Sequence, residues 1–257
     1  MENIEIQYLK YPQMEPIVFE DRLQTLIKYF DVFSSTITQS FYVIDIQQEQ
    51  FCYIKPDDLF LCGFSVEEAQ RDGYGFYSKI VCPKDLSLWT SMLNAVLKYL
   101  NSPERKWEEI DYFSCTFRLQ RNYSFLPKRP VSHMVYHRMK HILHEDKLRY
   151  LICSVGSSTI KNSGNLRMYI NDGLTYEEYN CKSKRWTPKI KDQLTEREVA
   201  ILMLAQQGKS SKEIANDLCK GENTIRNQIK PLYSKLNVHS MQEAIEFACN
   251  HSLISLK

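Results

Sequence analysis

The chain has 257 residues, of which 25% are charged, and a formal net charge of +2. This length suggests about two domains, and the near-neutral charge excludes a protein whose whole surface attracts nucleic acid. The eight cysteines occur singly, without a C-x-x-C pair, which excludes the common zinc motifs and favours free thiols in a reducing compartment.

The sequence shows no targeting or membrane segment. Its first residues, MENIEIQYLKYPQ, lack the basic-then-apolar pattern of a signal peptide. No apolar run approaches the length of a membrane span. We therefore expect a cytoplasmic protein that does not bind membranes.

The first two-thirds of the chain predict a mixed α+β domain. Residues 1–19 form an N-terminal extension, and the apolar spacing over 20–35 predicts an amphipathic helix. The segments FYVIDI at 41–46 and FCYIK at 51–55 flank the polar turn QQEQ, which predicts a β-hairpin. The elements expected next are short helices at 56–63 and 65–70, a longer helix at 85–101, and strands at about 109–121, 131–142 and 148–157.

This order of elements resembles the PAS fold, a five-stranded antiparallel sheet with helices over one face. The resemblance covers about residues 20–158. Besides the hairpin, the matching segments are Leu61-Cys62-Gly63-Phe64-Ser65 followed by Glu67-Glu68, Cys82-Pro83-Lys84-Asp85, and Phe117-Arg118-Leu119. The resemblance implies either a sensor with a small-molecule effector between sheet and helices, or a domain that only mediates dimer contacts. The flavin-binding G-R-N-C-R motif has no counterpart, so we expect no cofactor.

Histidines in the strand predicted at 131–142 offer a conceivable metal or haem site. His133, His137 and His141 alternate onto one face, and His144 follows. Residues i and i+4 of a strand lie about 13 Å apart, too far to share one ion. We therefore expect solvent-facing or partly buried histidines and no metal.

Residues 159–191 are predicted to form a hairpin and a basic linker. The turn signal Asn171-Asp172-Gly173 predicts a hairpin over 164–180. This hairpin could couple two domains, or, as we favour, extend the sheet at its edge. The linker has five basic and no acidic residues, namely Lys182, Lys184, Arg185, Lys189 and Lys191. These residues could contact phosphates, or simply be solvated.

The C-terminal segment predicts four helices that include a helix-turn-helix. Thr195 and Glu198 form a capping box for the first helix, which ends near Gly208. Ser210 or Ser211 caps the second helix, and Gly221 breaks the chain before the third. The third helix carries an apolar stripe of Ile225, Ile229, Leu232 and Leu236, and a fourth runs from about 240 to 250.

Residues 192–257 resemble the LuxR-type, or GerE-type, DNA-binding domain. The matching residues are Leu194-Thr195, Arg197-Glu198, Gly208, Lys212-Glu213-Ile214-Ala215, Leu218, Thr224-Ile225-Arg226, Lys235-Leu236 and Ala244. The resemblance implies a dimer that docks the third helix in the major groove and meets through the fourth. It places Lys212, Thr224, Arg226 and Gln228 on positions that contact phosphates or bases. Helical geometry adds Asn223, Asn227 and Lys230 to this DNA-binding face.

Several residues depart from the family pattern. Lys220 and Gly221 replace an apolar residue and a serine, Gln228 replaces the usual histidine, and Met241 replaces an arginine. Pro231 stands where asparagine is typical, and proline inside a regular helix costs ~3 kcal/mol. We therefore expect a kink at Pro231 that leaves residues 222–230 to read the groove.

The chain offers no motif for catalysis. It lacks a Gly-rich phosphate loop, G-x-S-x-G, H-E-x-x-H and a receiver-domain pattern. The sequence therefore predicts a one-component transcription regulator that binds double-stranded DNA as a homodimer, with RNA polymerase as a further candidate partner. The alternative is a signalling adaptor whose helical domain binds a protein. A sigma-factor-like region is disfavoured because the upstream helical region is missing.

Overall fold

The computed structural model describes residues 20–37, 39–103, 106–121, 130–144, 147–191, 193–251 and 253–254. It divides the chain into two compact units. The N-terminal unit extends to Ser157 and includes Asn162–Lys189, and the C-terminal unit contains Ser158–Lys161 and the chain from Ile190 onward. The predicted N-terminal extension lies outside the described residues.

An eight-stranded sheet forms the N-terminal unit, in the order β2-β1-β5-β4-β3-β6-β7-β8. The strands are β1 Ser40–Asp45, β2 Gln50–Ile54, β3 Ile110–Arg121, β4 Val131–His144, β5 Lys147–Ser157, β6 Gly164–Ile170, β7 Thr175–Asn180 and β8 Arg185–Ile190. The registered pairings among β1 to β7 are antiparallel. The mixed α+β class and the antiparallel sheet are confirmed.

The prediction of five strands is wrong. The five predicted strands are β1 to β5, and three more extend the sheet beyond β3. Strand β6 pairs with β3, because its alternate residues Leu166 and Met168 complete the same apolar core. Part of the predicted basic linker forms β8, whose Trp186 packs against that core. Residues 164–180 extend the sheet as a hairpin, as favoured, because β6 pairs with both β3 and β7, but β8 forms the edge beyond this hairpin.

Helices of the N-terminal unit bury apolar faces against the sheet. They are α1 Glu20–Ser34, α2 Asp58–Leu61, α3 Val66–Asp72, α4 Tyr77–Ile80 and α5 Pro83–Leu100. Proline at the first position starts α5, where its missing N–H costs nothing. Met92, Val96 and Leu100 recur at helical spacing and are buried in the main core. Helix α1 contributes Phe30 to a second cluster with Phe41 and Tyr53.

A buried carboxylate ties α5 to the sheet. The Asp85 carboxylate accepts hydrogen bonds from the backbone N and the Nε of Arg118 on β3, both at 2.9 Å. It also accepts one from the Ser163 hydroxyl just before β6. Burial opposes ionisation, but the hydrogen bonds from Arg118 and Ser163 outweigh it and hold the pKa of Asp85 below its usual range. This contact fixes where the helix layer begins over the sheet.

In its described residues the C-terminal unit has four helices, namely α6 Glu196–Gln206, α7 Ser211–Asp217, α8 Glu222–Leu236 and α9 Met241–Asn250. Capping boxes at Thr195 and Ser210 begin α6 and α7. Gly208 lies just after the end of α6 and has a φ of +82°, a left-handed conformation that favours glycine. Two small clusters hold the helices together, with Leu202 in one and Ile201 in the other. The predicted four-helix domain is confirmed.

Pro231 does not end the third helix. Helix α8 is continuous from Glu222 to Leu236 with Pro231 inside it. The buried Leu232 and Leu236 beyond the proline anchor the last turns. Asn227, whose carbonyl loses its hydrogen bond to Pro231, is exposed and can be solvated. Among the described residues, no helix is long and apolar enough to cross a membrane.

Candidate nucleic-acid interface

The turn between α7 and α8 is closed by backbone hydrogen bonds. The amide of Lys220 donates to the carbonyl of Ala215 at 2.8 Å, and Leu218 donates to Ile214 at 3.0 Å. The left-handed position of the turn is Cys219, with a φ of +50°. Gly221, predicted as the break, is the N-cap of α8 with an ordinary φ of −72°. The backbone conformation at this position is therefore open to any residue, and α8 begins without a side-chain cap.

Buried residues on one side of α8 set which side faces outward. Ile225 is fully buried against Ile201, Ile214 and Ala215 from α6 and α7. Leu232 and Leu236 continue this face further along the helix, in the other cluster. A helix fixed along this stripe presents its opposite side to solvent.

The predicted DNA-binding residues lie mainly on that exposed side. Asn223, Arg226, Asn227 and Lys230 are exposed at positions i, i+3, i+4 and i+7, which share one helix face. Thr224 is also exposed, and Lys212 is exposed on α7. Gln228 is partly buried, and its side-chain oxygen has no hydrogen-bond partner among the described residues. Contacts of these seven residues with DNA remain predictions.

An intrahelical ion pair holds Arg226 in place. Its Nη2 lies 2.7 Å from Oε1 of Glu222, one turn earlier; the Arg226 side chain is exposed and that of Glu222 less so. Such pairs stabilise a helix by only about 0.2–0.5 kcal/mol. A phosphate or a guanine edge can therefore compete for the guanidinium. Lys212 and Lys230 form no ion pair among the described residues.

A second ion pair joins α6 to α8. Lys235 Nζ lies 2.9 Å from Glu198 Oε2, and the same carboxylate accepts from the Thr195 amide at 2.7 Å. Burial acts to raise the pKa of Glu198, but the hydrogen bonds from Lys235 and Thr195 outweigh burial and hold the pKa below its usual value. The Glu198 side chain thus combines helix capping with helix packing. The sequence predicted the cap but gave no signal for the contact, because the two partners are 37 residues apart.

The N-terminal unit contains a small aromatic cavity between sheet and helices. It measures about 10 Å³, room for roughly one water molecule, and its walls include Tyr77, Trp89 and Met92. The Tyr42 hydroxyl lies 2.7 Å from Nε2 of His137 and also hydrogen-bonds the Tyr77 hydroxyl. These three polar groups form a hydrogen-bonded chain that lines the cavity, and the Cys115 thiol lies 3.9 Å from Nδ1 of His137 at its end.

The expectation for the histidines is wrong for two of them. His137 is 3% exposed and His141 is 9% exposed, because this face of β4 points into the unit. Burial lowers the pKa of His137 to about 3, so the ring is uncharged at neutral pH. His133 is half-buried, as expected. The described residues contain no group of three His, Cys, Asp or Glu side chains that could hold a metal ion.

Comparison with known proteins assigns the C-terminal segment. Residues 192–248 match the family model of bacterial regulatory proteins, luxR family. The C-terminal domain is therefore of the LuxR type. Bacillus subtilis transcriptional regulatory protein YdfI is 36% identical over 64 residues, which are 25% of this chain and 30% of YdfI. The Fimbriae Z protein of Salmonella typhimurium is 39% identical over 61 residues, 24% of this chain and 29% of that protein.

One further sequence match is longer than residues 192–248, and one match is to a solved structure. Response regulator protein VraR of Staphylococcus saprophyticus is 35% identical over 91 residues, 34% of this chain and 44% of VraR. The chain thus spans less than half the length of these three relatives. Among solved structures, the Vibrio cholerae VqmA dimer matches over 90% of both chains, with 13% identity and a TM-score of 0.34. A likeness this distant carries no information about activity.

Proposed function

We propose that this protein is a sequence-specific transcription regulator, not an enzyme, that binds double-stranded DNA through α8. One observation carries the proposal. In a LuxR-type domain, Asn223, Arg226, Asn227 and Lys230 share an exposed face opposite the buried Ile225. Arginine and asparagine are the side chains that pair bidentately with guanine and adenine edges in the major groove. The protein would act on DNA in the cytoplasm as a homodimer on a two-fold site, with RNA polymerase as a further partner.

The N-terminal unit supplies the control in this proposal. Residues 20–158 would form a PAS-like sensor or dimerisation domain, and 159–191 would connect it to the DNA-binding domain at 192–257. A small-molecule effector would enter the cavity beside Tyr42 and His137. Because this cavity has room for about one water molecule, such an effector has to displace surrounding side chains. That displacement would give the unit two states between which a ligand can select.

The experiment compares Arg226→Ala with a matched exposed arginine, Arg197→Ala on α6. DNA fragments are first selected from a random pool by the wild-type protein, and affinities are measured by fluorescence anisotropy. One lost bidentate base contact costs about 1–3 kcal/mol, so Arg226→Ala should bind about 5- to 150-fold more weakly. Arg197→Ala should stay close to wild type. Wild-type affinity in Arg226→Ala would show that α8 is not the reading helix.

A protein-binding adaptor is the second candidate. Residues 192–257 contain eight basic and eight acidic side chains, so this domain has no net charge to attract DNA. Pro231 and Met241 also depart from the family pattern. An adaptor predicts that the wild-type protein selects no fragment and shows no salt-sensitive binding. Enrichment of a two-fold sequence would reject it.

A further inference from the structure

One ten-residue segment before the LuxR-type domain is strongly basic. Residues 182–191, which we call the basic β8 segment, carry five basic side chains and no acidic one. All other residues together carry a net charge of −3, since the whole chain has +2. The LuxR-type domain that follows is neutral. The basic β8 segment therefore attracts a polyanion more strongly than the net charge of the helix-turn-helix domain does.

The structure shows that this segment is an anchored strand rather than a free linker. Trp186 of β8 packs its ring 5.0 Å from that of Tyr179, 5.9 Å from Tyr99 and 6.2 Å from Phe113, measured between centroids. This contact attaches β8 to the main apolar core at the end of the sheet. A strand held in this way fixes the backbone positions that carry its charges, so less backbone freedom is lost on binding.

The turn that leads into β8 is also fixed. The side-chain oxygen of Asn180 accepts from the amides of Lys182 and Ser183, at 2.9 and 3.0 Å. The amide of Lys184 donates to the Asn180 carbonyl at 2.8 Å. Both lysines are exposed at this turn. The turn therefore holds the backbone of two further lysines next to the strand.

The cations of β8 face away from its anchor. Side chains alternate along a strand, so Arg185 and Lys189 lie on the face opposite Trp186. Both are exposed, and neither forms an ion pair within the described part of the chain. They are four residues apart, about 13 Å along a strand, which is comparable with the ~12 Å width of the major groove. This spacing suits phosphates on the two sides of one groove.

We propose that the basic β8 segment is a second DNA-binding surface, which contacts the phosphate backbone beside the sequence read by α8. The proposal rests on the proposed function. Lys189 precedes Thr195, the N-cap of α6, by only six residues, which span at most about 20 Å. One helical turn of DNA is about 34 Å long. The segment is thus tethered within reach of phosphates next to the site.

The test measures how affinity depends on salt. The triple variant Lys182→Gln, Lys184→Gln, Lys189→Gln is compared with a control, Lys28→Gln, Lys84→Gln, Lys98→Gln, whose three lysines are exposed elsewhere in the N-terminal unit. The probe is a random-sequence duplex of roughly 40 base pairs, about four turns. Each lost phosphate contact reduces the slope of log K against log salt by about 0.9. The ratio of wild-type to triple-variant affinity should then be about 40-fold larger at 50 mM than at 200 mM salt.

The possible results separate this inference from the proposed function. A reduced slope in the triple variant and an unchanged slope in the control support the basic β8 segment. Equal slopes in both variants, with selected-site binding still lost in Arg226→Ala, overturn the segment and leave the proposed function standing. If the wild-type protein binds no duplex at either salt concentration, both proposals fail. Circular dichroism of each variant checks that the fold is intact.

Discussion

Replacing Asp85 with asparagine should destabilise the N-terminal unit selectively. Asp85 is 2% exposed, and its carboxylate accepts hydrogen bonds from the Arg118 backbone, the Arg118 guanidinium and Ser163. An asparagine side chain would keep the shape but lose the charge. Its NH₂ group would point at N–H or O–H groups of Arg118 or Ser163 and could not accept their hydrogen bonds. Breaking a buried ion pair costs about 3–5 kcal/mol. The Arg118 side chain is 38% exposed, so water screens part of this energy, and we expect a loss of about 2–3 kcal/mol.

Tryptophan fluorescence isolates this unit. The chain has three tryptophans, at 89, 107 and 186, and all belong to the N-terminal unit. Urea titration followed by fluorescence at pH 7 therefore reports on the unit that contains Asp85. Ser163→Ala is the matched control, because it removes one neutral donor and should cost about 1 kcal/mol. A double-mutant cycle with Arg118→Gln then isolates the coupling between the two charged partners.

The effect of Asp85→Asn should also depend on pH. The folded-state pKa of Asp85 lies below its usual range, so its ionised form stabilises the folded protein. This contribution is complete above the unfolded pKa of about 3.9 and is lost as the pH falls through the lower folded value. The difference between wild type and variant should hold from pH 7 to about pH 5 and shrink below pH 4. A difference under about 0.5 kcal/mol at pH 7, typical of a surface substitution, would refute the reasoning.

Three further results are expected. Ile225→Ala should lower the free energy of unfolding of the C-terminal unit by about 2–5 kcal/mol. Helical ellipticity should then be lost at a lower urea concentration. An equal shift of the transition seen by tryptophan fluorescence would contradict two separate cores. In the wild type, the unfolded chain protonates His137 below pH 6.5, whereas the buried ring stays neutral down to its folded pKa of about 3. Stability therefore falls with pH in this window, by up to about 1.4 kcal/mol per pH unit from this residue. His137→Gln should remove that part of the decline. Gly221→Ser should stabilise α8 by a few tenths of a kcal/mol, whereas Gly221→Ala should not, because only serine adds a capping oxygen and a Cβ there meets nothing closer than 3.6 Å.

Local patterns in the sequence were sufficient for the candidate interface. The capping residues Thr195 and Ser210 act within one helical turn, so three residues of sequence contain the whole signal. The buried stripe that contains Ile225 follows from the helical period alone. For the same reason the exposed face with Arg226 could be named before its surroundings were known. The β1–β2 hairpin was equally predictable, because its two strands adjoin the turn.

Tertiary structure decided the features that depend on distant partners. The sheet gains β6 to β8 because β3 offers a free edge and the core accepts Leu166 and Trp186, which no local period reveals. The burial of His137 depends on which face of β4 the helices cover. Asp85 meets Arg118 across 33 residues, and Glu198 meets Lys235 across 37. The sequence by itself determined the candidate DNA-binding face of α8. Folding determined that the basic segment became an anchored strand, because its pairing beside β7 and the packing of Trp186 depend on distant partners.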